Sequence, residues 1–148
     1  MKPIIALLTV FVMLHSCDST PSTAEQNTDQ KKYVSEKIDG KYKTDFETAQ
    51  ELKGMRNTIE NFTLLNKKKF ENLKAYQEFG SLMEMHIDRV NEYCNLDAST
   101  KSILCKKLDK IKEEVTILQG SDMDRSKEAL ERINSYVTEI DSSFNYMN

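Results

Sequence analysis

DFETAQELKGMRNTIENFTLLNKKKFENLKAYQEFGSLMEMHIDRVNEYC, residues 45–94, decides the architecture. One frame of alternating three- and four-residue steps runs through it: Leu52, Met55, Ile59, Phe62, Asn66, Lys69, Leu73, Tyr76, Gly80, Met83, Ile87, Val90, Cys94. That spacing puts one apolar stripe along a helix. Phe46 is expected to open the stripe, behind a capping box of Thr44 and Glu47. Two members of the frame, Asn66 and Lys69, are polar. Either one helix of about 75 Å runs from 45 to 94, or two helices meet near 63–69. No Pro or Gly marks a turn at that point, which favours one long helix. Burial within a single chain favours folding back, because otherwise the stripe from Phe46 to Phe62 lies bare. The long helix is the preferred reading.

Downstream, Asn95-Leu96-Asp97-Ala98-Ser99 reads as a turn, with Asp97 or Ser99 as the next helix cap. The following helix buries Leu104, Leu108, Ile111, Val115 and Leu118 and stops at Gly120. Ser121 or Asp122 starts the last helix, whose frame is Met123, Ser126, Leu130, Ile133, Val137, Ile140, Phe144 and Met147. The fold class is therefore all-α: an antiparallel, coiled-coil-like bundle of three long helices, with four if the first is split. Only two prolines and four glycines in 148 residues leave too few turn residues for a sandwich or barrel. The bundle domain is assigned to residues 44–148.

Upstream, Lys2 supplies a positive start, and Ile4 to Leu14 is apolar apart from Thr9. Such a run is too short to span a bilayer, which needs about 20 residues, and it has the length of a secretory signal's apolar region. A small residue then precedes a cysteine in Leu14-His15-Ser16-Cys17. This segment resembles the lipobox of bacterial lipoproteins: Leu14 and Ser16 fit, and His15 stands where a small or modest residue is usual. The resemblance covers the first 17 residues and implies cleavage before Cys17, a thioether-linked diacylglyceryl group on its sulfur, and acylation of the new amino terminus. Several acyl chains anchor firmly where one gives marginal binding. Residues 1–16 are thus read as a lipoprotein signal peptide. Residues 17–43 are read as the lipidated cysteine and a tether, since Asp18 to Gln30 is polar and rich in Ser and Thr. Lys31 to Tyr42 is a transition with Gly40 as a break. The resemblance implies a place in the bacterial cell envelope on a membrane surface. Asp18 resembles an inner-membrane retention signal in enteric bacteria, whereas acidic residues there accompany outward export in other groups, so the leaflet stays open.

Net charge is −3, lacking the basic balance of a nucleic-acid binder. With Cys17 lipidated, Cys94 and Cys105 remain, and an even remainder outside the cytoplasm suggests a disulfide. An antiparallel turn near 96–97 would set Cys94 opposite a residue near 99, so the bond requires the chain to leave the helix before Cys94. Met83, Met85 and His86 form a small cluster, but Met83 lies in the core frame, where Met is a common gap filler. His86 is read as a surface or boundary histidine, and no metal or cofactor is expected. A mature chain whose one histidine is His86 can host a hydroxyl–imidazole relay only there. No Gly-rich phosphate loop occurs, and Glu113-Glu114 and Asp122 with Asp124 read as surface charges or helix-dipole complements. The chain is therefore read as a non-catalytic module whose partners are the membrane, through Cys17, and another protein or itself, with no nucleic acid. Within that class stand an envelope scaffold, an immunity or exclusion lipoprotein and a host-facing antigen. The alternative is a small-ligand receptor with a cavity lined by Tyr76 and Met83.

Overall fold

Four helices of 21 residues each, α1 Phe46–Asn66, α2 Leu73–Tyr93, α3 Ala98–Leu118 and α4 Met123–Ser143, make up most of this computed structural model. It describes residues 36–66 and 72–146, all within the unit Lys32–Asn148. The residues read as a signal peptide, Cys17 and the segment read as a tether up to residue 35 lie outside the described residues, as do Lys69 and Met147.

The chain takes the split alternative, which corrects the preference for one long helix. α1 ends at the first polar member of the frame, Asn66, and α2 starts behind Asn72, whose side chain accepts from the Ala75 N–H at 2.8 Å. An asparagine N-cap did the work sought from Gly or Pro. The driving force is burial: folding back sets Leu52, Met55 and Ile59 against Tyr76, Phe79, Met83, Ile87 and Val90, all now buried. Each such side chain removed from water contributes about 1.5–3 kcal/mol, which a bare stripe would forgo.

The helices run up, down, up, down, so one end of the bundle (the base) gathers the start of α1, the end of α2, the start of α3 and the end of α4. The other end is the tip. Asp97 caps α3, accepting from the Ser99 and Thr100 N–H groups, and Asp122 caps α4, accepting from Asp124 and Arg125. Leu104, Leu108, Ile111, Val115 and Leu118 of α3 are all buried, as are Ser126, Ala129, Ile133, Val137 and Ile140 of α4. Sequential neighbours pack closely, whereas α1 meets α4 sparsely.

The fold is the all-α bundle expected, and the base adds a minor three-stranded sheet. β1 Lys37–Ile38 and β2 Lys41–Lys43 form an antiparallel hairpin, and β2 pairs in parallel with β3 Phe144–Asn145. The two-residue turn is Asp39-Gly40, with φ of 52° and 78°. Both lie in the left-handed region that an Asp-Gly hairpin turn requires. Residues 37–43, which the sequence reading assigned to the tether, are strand and turn. Phe144 continues the α4 stripe into β3 and is fully buried, tilted against Tyr42 at 5.4 Å between ring centroids.

The start of α1 also differs from expectation. Asp45, not Thr44, is the cap: its carboxylate accepts from the Thr48 N–H and hydroxyl, each at 2.8 Å, and from the Asn95 N–H at 3.1 Å. Thr44 instead donates its hydroxyl to the Asn145 carbonyl at 2.9 Å. Thr48, four residues before Leu52, lies on the buried stripe, whereas Phe46 falls about 120° or more round the helix from Leu52, Met55 and Ile59 and is 72% exposed.

Candidate functional site

The α1–α2 pair carries the two features with chemical or binding potential. The first is centred on His86. Gly54 lies opposite it on α1, and a Cβ there would stand 2.4 Å from His86 Cε1. The missing side chain is the slot for the imidazole. The ring's Nδ1 lies 2.7 Å from Glu51 Oε2, and its Nε2 lies 3.3 Å from Thr58 Oγ1. With the proton on Nδ1, the ring donates to Glu51 and accepts from the Thr58 hydroxyl, the tautomer the network favours. Arg89 Nη1 approaches the other oxygen of Glu51 at 3.6 Å. His86 and Glu51 are both largely withdrawn from solvent.

This chain has the connectivity of a nucleophile, base and orienter. Its setting differs. Thr58 sits inside α1, where the surrounding backbone N–H groups are committed to helix hydrogen bonds. No pair of backbone donors is left beside the hydroxyl to receive an oxyanion. What the arrangement does is hold α1 to α2 by charge-assisted bonds at a glycine slot.

The second feature is a groove of about 480 Å³ between the same helices toward the tip. Phe62, Leu65, Phe79 and Leu82 supply its apolar wall, and Thr58, Asn61 and Lys74 stand among its polar members. Phe62 packs on Tyr76 and Phe79 with ring centroids 5.1 and 4.7 Å away. Leu65 is 62% and Leu64 61% exposed. Leu64 belongs to a second cleft, with Ile59, Glu60 and Thr63 of α1 and Asn134 of α4, where α1 and α4 diverge. The tip therefore exposes leucines on both flanks of α1.

Cys94 and Cys105 are both thiols, with no bond between them, Cys94 buried and Cys105 half-buried. The chain does leave the helix at Cys94, the C-cap of α2, in extended conformation. Burial, with the neighbouring Cys94 second, pushes the Cys105 thiol above its ordinary pKa. Met83 is fully buried core, Tyr76 is buried, and His86 is the boundary residue expected. A receptor cavity around Tyr76 and Met83 is therefore filled by packing. Glu114 is no surface charge: it is buried, one oxygen paired to Arg132 Nε at 2.9 Å and the other, Oε2, without a hydrogen-bond partner.

Sequence reasoning had His86 but missed Glu51, Gly54 and Thr58. The available signal was Gly54, a glycine in a helix interior, which is commonly kept for close packing. Among the described residues, no group of three or more His, Cys, Asp or Glu is placed to hold a metal. Among them, too, no helix is long and apolar enough to cross a membrane. Compared with known protein families, curated proteins and solved structures, the chain has no match.

Proposed function

We propose that this chain is a lipid-anchored envelope lipoprotein whose helical bundle is a non-catalytic protein-interaction module, engaging its partner through the tip of α1. The observation that carries the reading is the groove with its exposed leucines. Leu65 and Leu82 are both more than one-third exposed around a concavity floored by Phe62 and Phe79, and Leu64 is exposed at the neighbouring cleft. Exposed apolar side chains grouped around a concavity are a usual mark of an interaction site. Aromatic anchors in such a concavity carry a large share of binding energy. The lipobox-like Leu14-His15-Ser16-Cys17 supports the anchor. The helix-committed backbone around Thr58 supports a non-catalytic role for the His86 cluster.

Two measurements test it. The intact mass of protein isolated from its membrane should begin at Cys17 and carry acyl mass, and a chain free of acyl mass would overturn the anchor. A photo-crosslinker at Leu65, used in the native cell, should capture a defined protein or a second copy. The same crosslinker at exposed Ser102 on α3 should not. Equal capture from both positions, or none from Leu65, would overturn the tip as the binding surface.

The groove also favours a second reading, a small-ligand receptor. Its volume lies within the range of about 300–1,000 Å³ typical of ligand sites. Native mass spectrometry separates the two, because a co-purifying small molecule lost on Leu65→Glu would favour the receptor.

A further inference from the structure

We infer that the base of the bundle is a membrane-contacting surface: Ile38 and Phe46 enter the interfacial layer of the bilayer, and the tip with its groove points away from it. This rests on the proposed lipid anchor.

Four observations converge on the base. Phe46 is 72% exposed at the first position of α1, on the side of the helix turned away from the buried stripe. Ile38 on β1 is 40% exposed and lines the same concavity of about 300 Å³ as Phe46 and Ala49. Tyr93, the last residue of α2, is also exposed at this end, and tyrosine is a favoured residue at membrane–water boundaries. Finally, the chain from the proposed lipid site enters the described fold at Glu36, immediately before β1. The segment from 17 to 36 reaches at most about 65 Å even if fully extended. The base is thus the part of the bundle nearest its anchor along the chain.

The charges around the patch choose between headgroup attraction and apolar insertion. Lys43 is paired with Glu36 at 3.2 Å, Lys41 donates to the Asp141 carbonyl at 2.8 Å, and Lys37 lies over the Tyr42 ring at 4.4 Å. Asp39, Asp45 and Glu47 stand close by in sequence. With both signs present and the lysines engaged, attraction to anionic lipid is weak. The contact is apolar, made by Ile38 and Phe46. Two side chains would bind a bilayer weakly alone. An acyl anchor makes their encounter intramolecular and raises its effective concentration.

The chain contains no tryptophan, so a single introduced indole is a clean reporter. The lipidated protein carrying Phe46→Trp, and separately Leu64→Trp at the tip, is reconstituted in phosphatidylcholine vesicles with and without brominated acyl chains. Brominated lipid should quench the Phe46→Trp protein and shift its emission to the blue. It should leave the Leu64→Trp protein solvent-like and open to iodide, and phosphatidylglycerol in place of phosphatidylcholine should change little. Absence of bromine quenching at position 46, or equal quenching at 64, overturns the inference. Failure of the lipid anchor is read separately, as the absence of acyl mass at Cys17 in the intact-mass measurement. In that event the mature polypeptide with Cys17→Ser and Phe46→Trp is titrated with brominated vesicles. Quenching there supports the surface independently of the anchor, and none overturns it.

Discussion

Replacing Gly54 by alanine sets two effects of known size against each other. In an ordinary exposed helix interior the change is favourable by about 1 kcal/mol, because alanine is the better helix former. Here the new methyl would meet His86 Cε1 at 2.4 Å, Nδ1 at 2.9 Å and Nε2 at 3.2 Å. The ring must swing out of its slot, and both of its bonds break: the 2.7 Å contact to Glu51 and the 3.3 Å contact to Thr58. A hydrogen bond to a charged group contributes about 1.5–3 kcal/mol, and Glu51 would keep only the longer approach of Arg89. The expected net result is a loss of about 1–2 kcal/mol, read as a lower urea midpoint at unchanged slope by far-ultraviolet circular dichroism. The control is the same substitution in a His86→Ala background. There the slot is empty, and Gly54→Ala should stabilise by about 1 kcal/mol. Equal stabilisation in both backgrounds would refute the view that the glycine exists to seat the imidazole.

Three further outcomes follow from other parts of the bundle. Asp45→Ala removes a cap serving Thr48 twice and Asn95 once, and should lower stability by about 1–2 kcal/mol in the same urea assay. Arg132→Ala should destabilise because it strands the buried Glu114 carboxylate, whereas Glu114→Leu should be neutral or stabilising; the reverse order would show that the pair is a net source of stability. The raised pKa of Cys105 means a smaller thiolate fraction at any given pH, so the thiol should react with iodoacetamide more slowly than glutathione at pH 8. Its rate should climb at higher pH, and Cys94 and Cys105 should both be labelled as thiols after unfolding; a mass lower by one hydrogen pair would instead reveal a Cys94–Cys105 bond.

The stripes were legible because periodicity alone assigns them. Every apolar member of the frame from Leu52 to Ile59 and from Tyr76 to Cys94 is buried, and the five apolar residues chosen on α3 are all buried. The break between α1 and α2 was marked only by the polar pair Asn66 and Lys69, since its cap, Asn72, is an ordinary residue in composition. Asp39-Gly40 was a readable hairpin turn, but strands of two and three residues are too short to alternate visibly. Phe46 was misassigned to the stripe: six and nine residues before Leu52 and Met55, it falls on the other side of the helix and is exposed. The His86 cluster was illegible for another reason: Glu51 and Thr58 reach it from a different helix, and pairing between helices leaves no period in the chain. The burial of Glu114 is a tertiary property of the same kind, since its partner Arg132 lies on α4.

The parallel pairing of β2 with β3 joins residues about a hundred positions apart, Tyr42 with Phe144 and Lys43 with Asn145. Of the described secondary structure, the first pieces to leave the ribosome must wait for the last before they find their neighbour. Until then the hairpin has only one side, and the base of the bundle stays open. Such long-range closure is slow compared with local helix pairing. A chain that shuts its latch last remains threadable for longest, which would suit the proposed export through a narrow channel before folding.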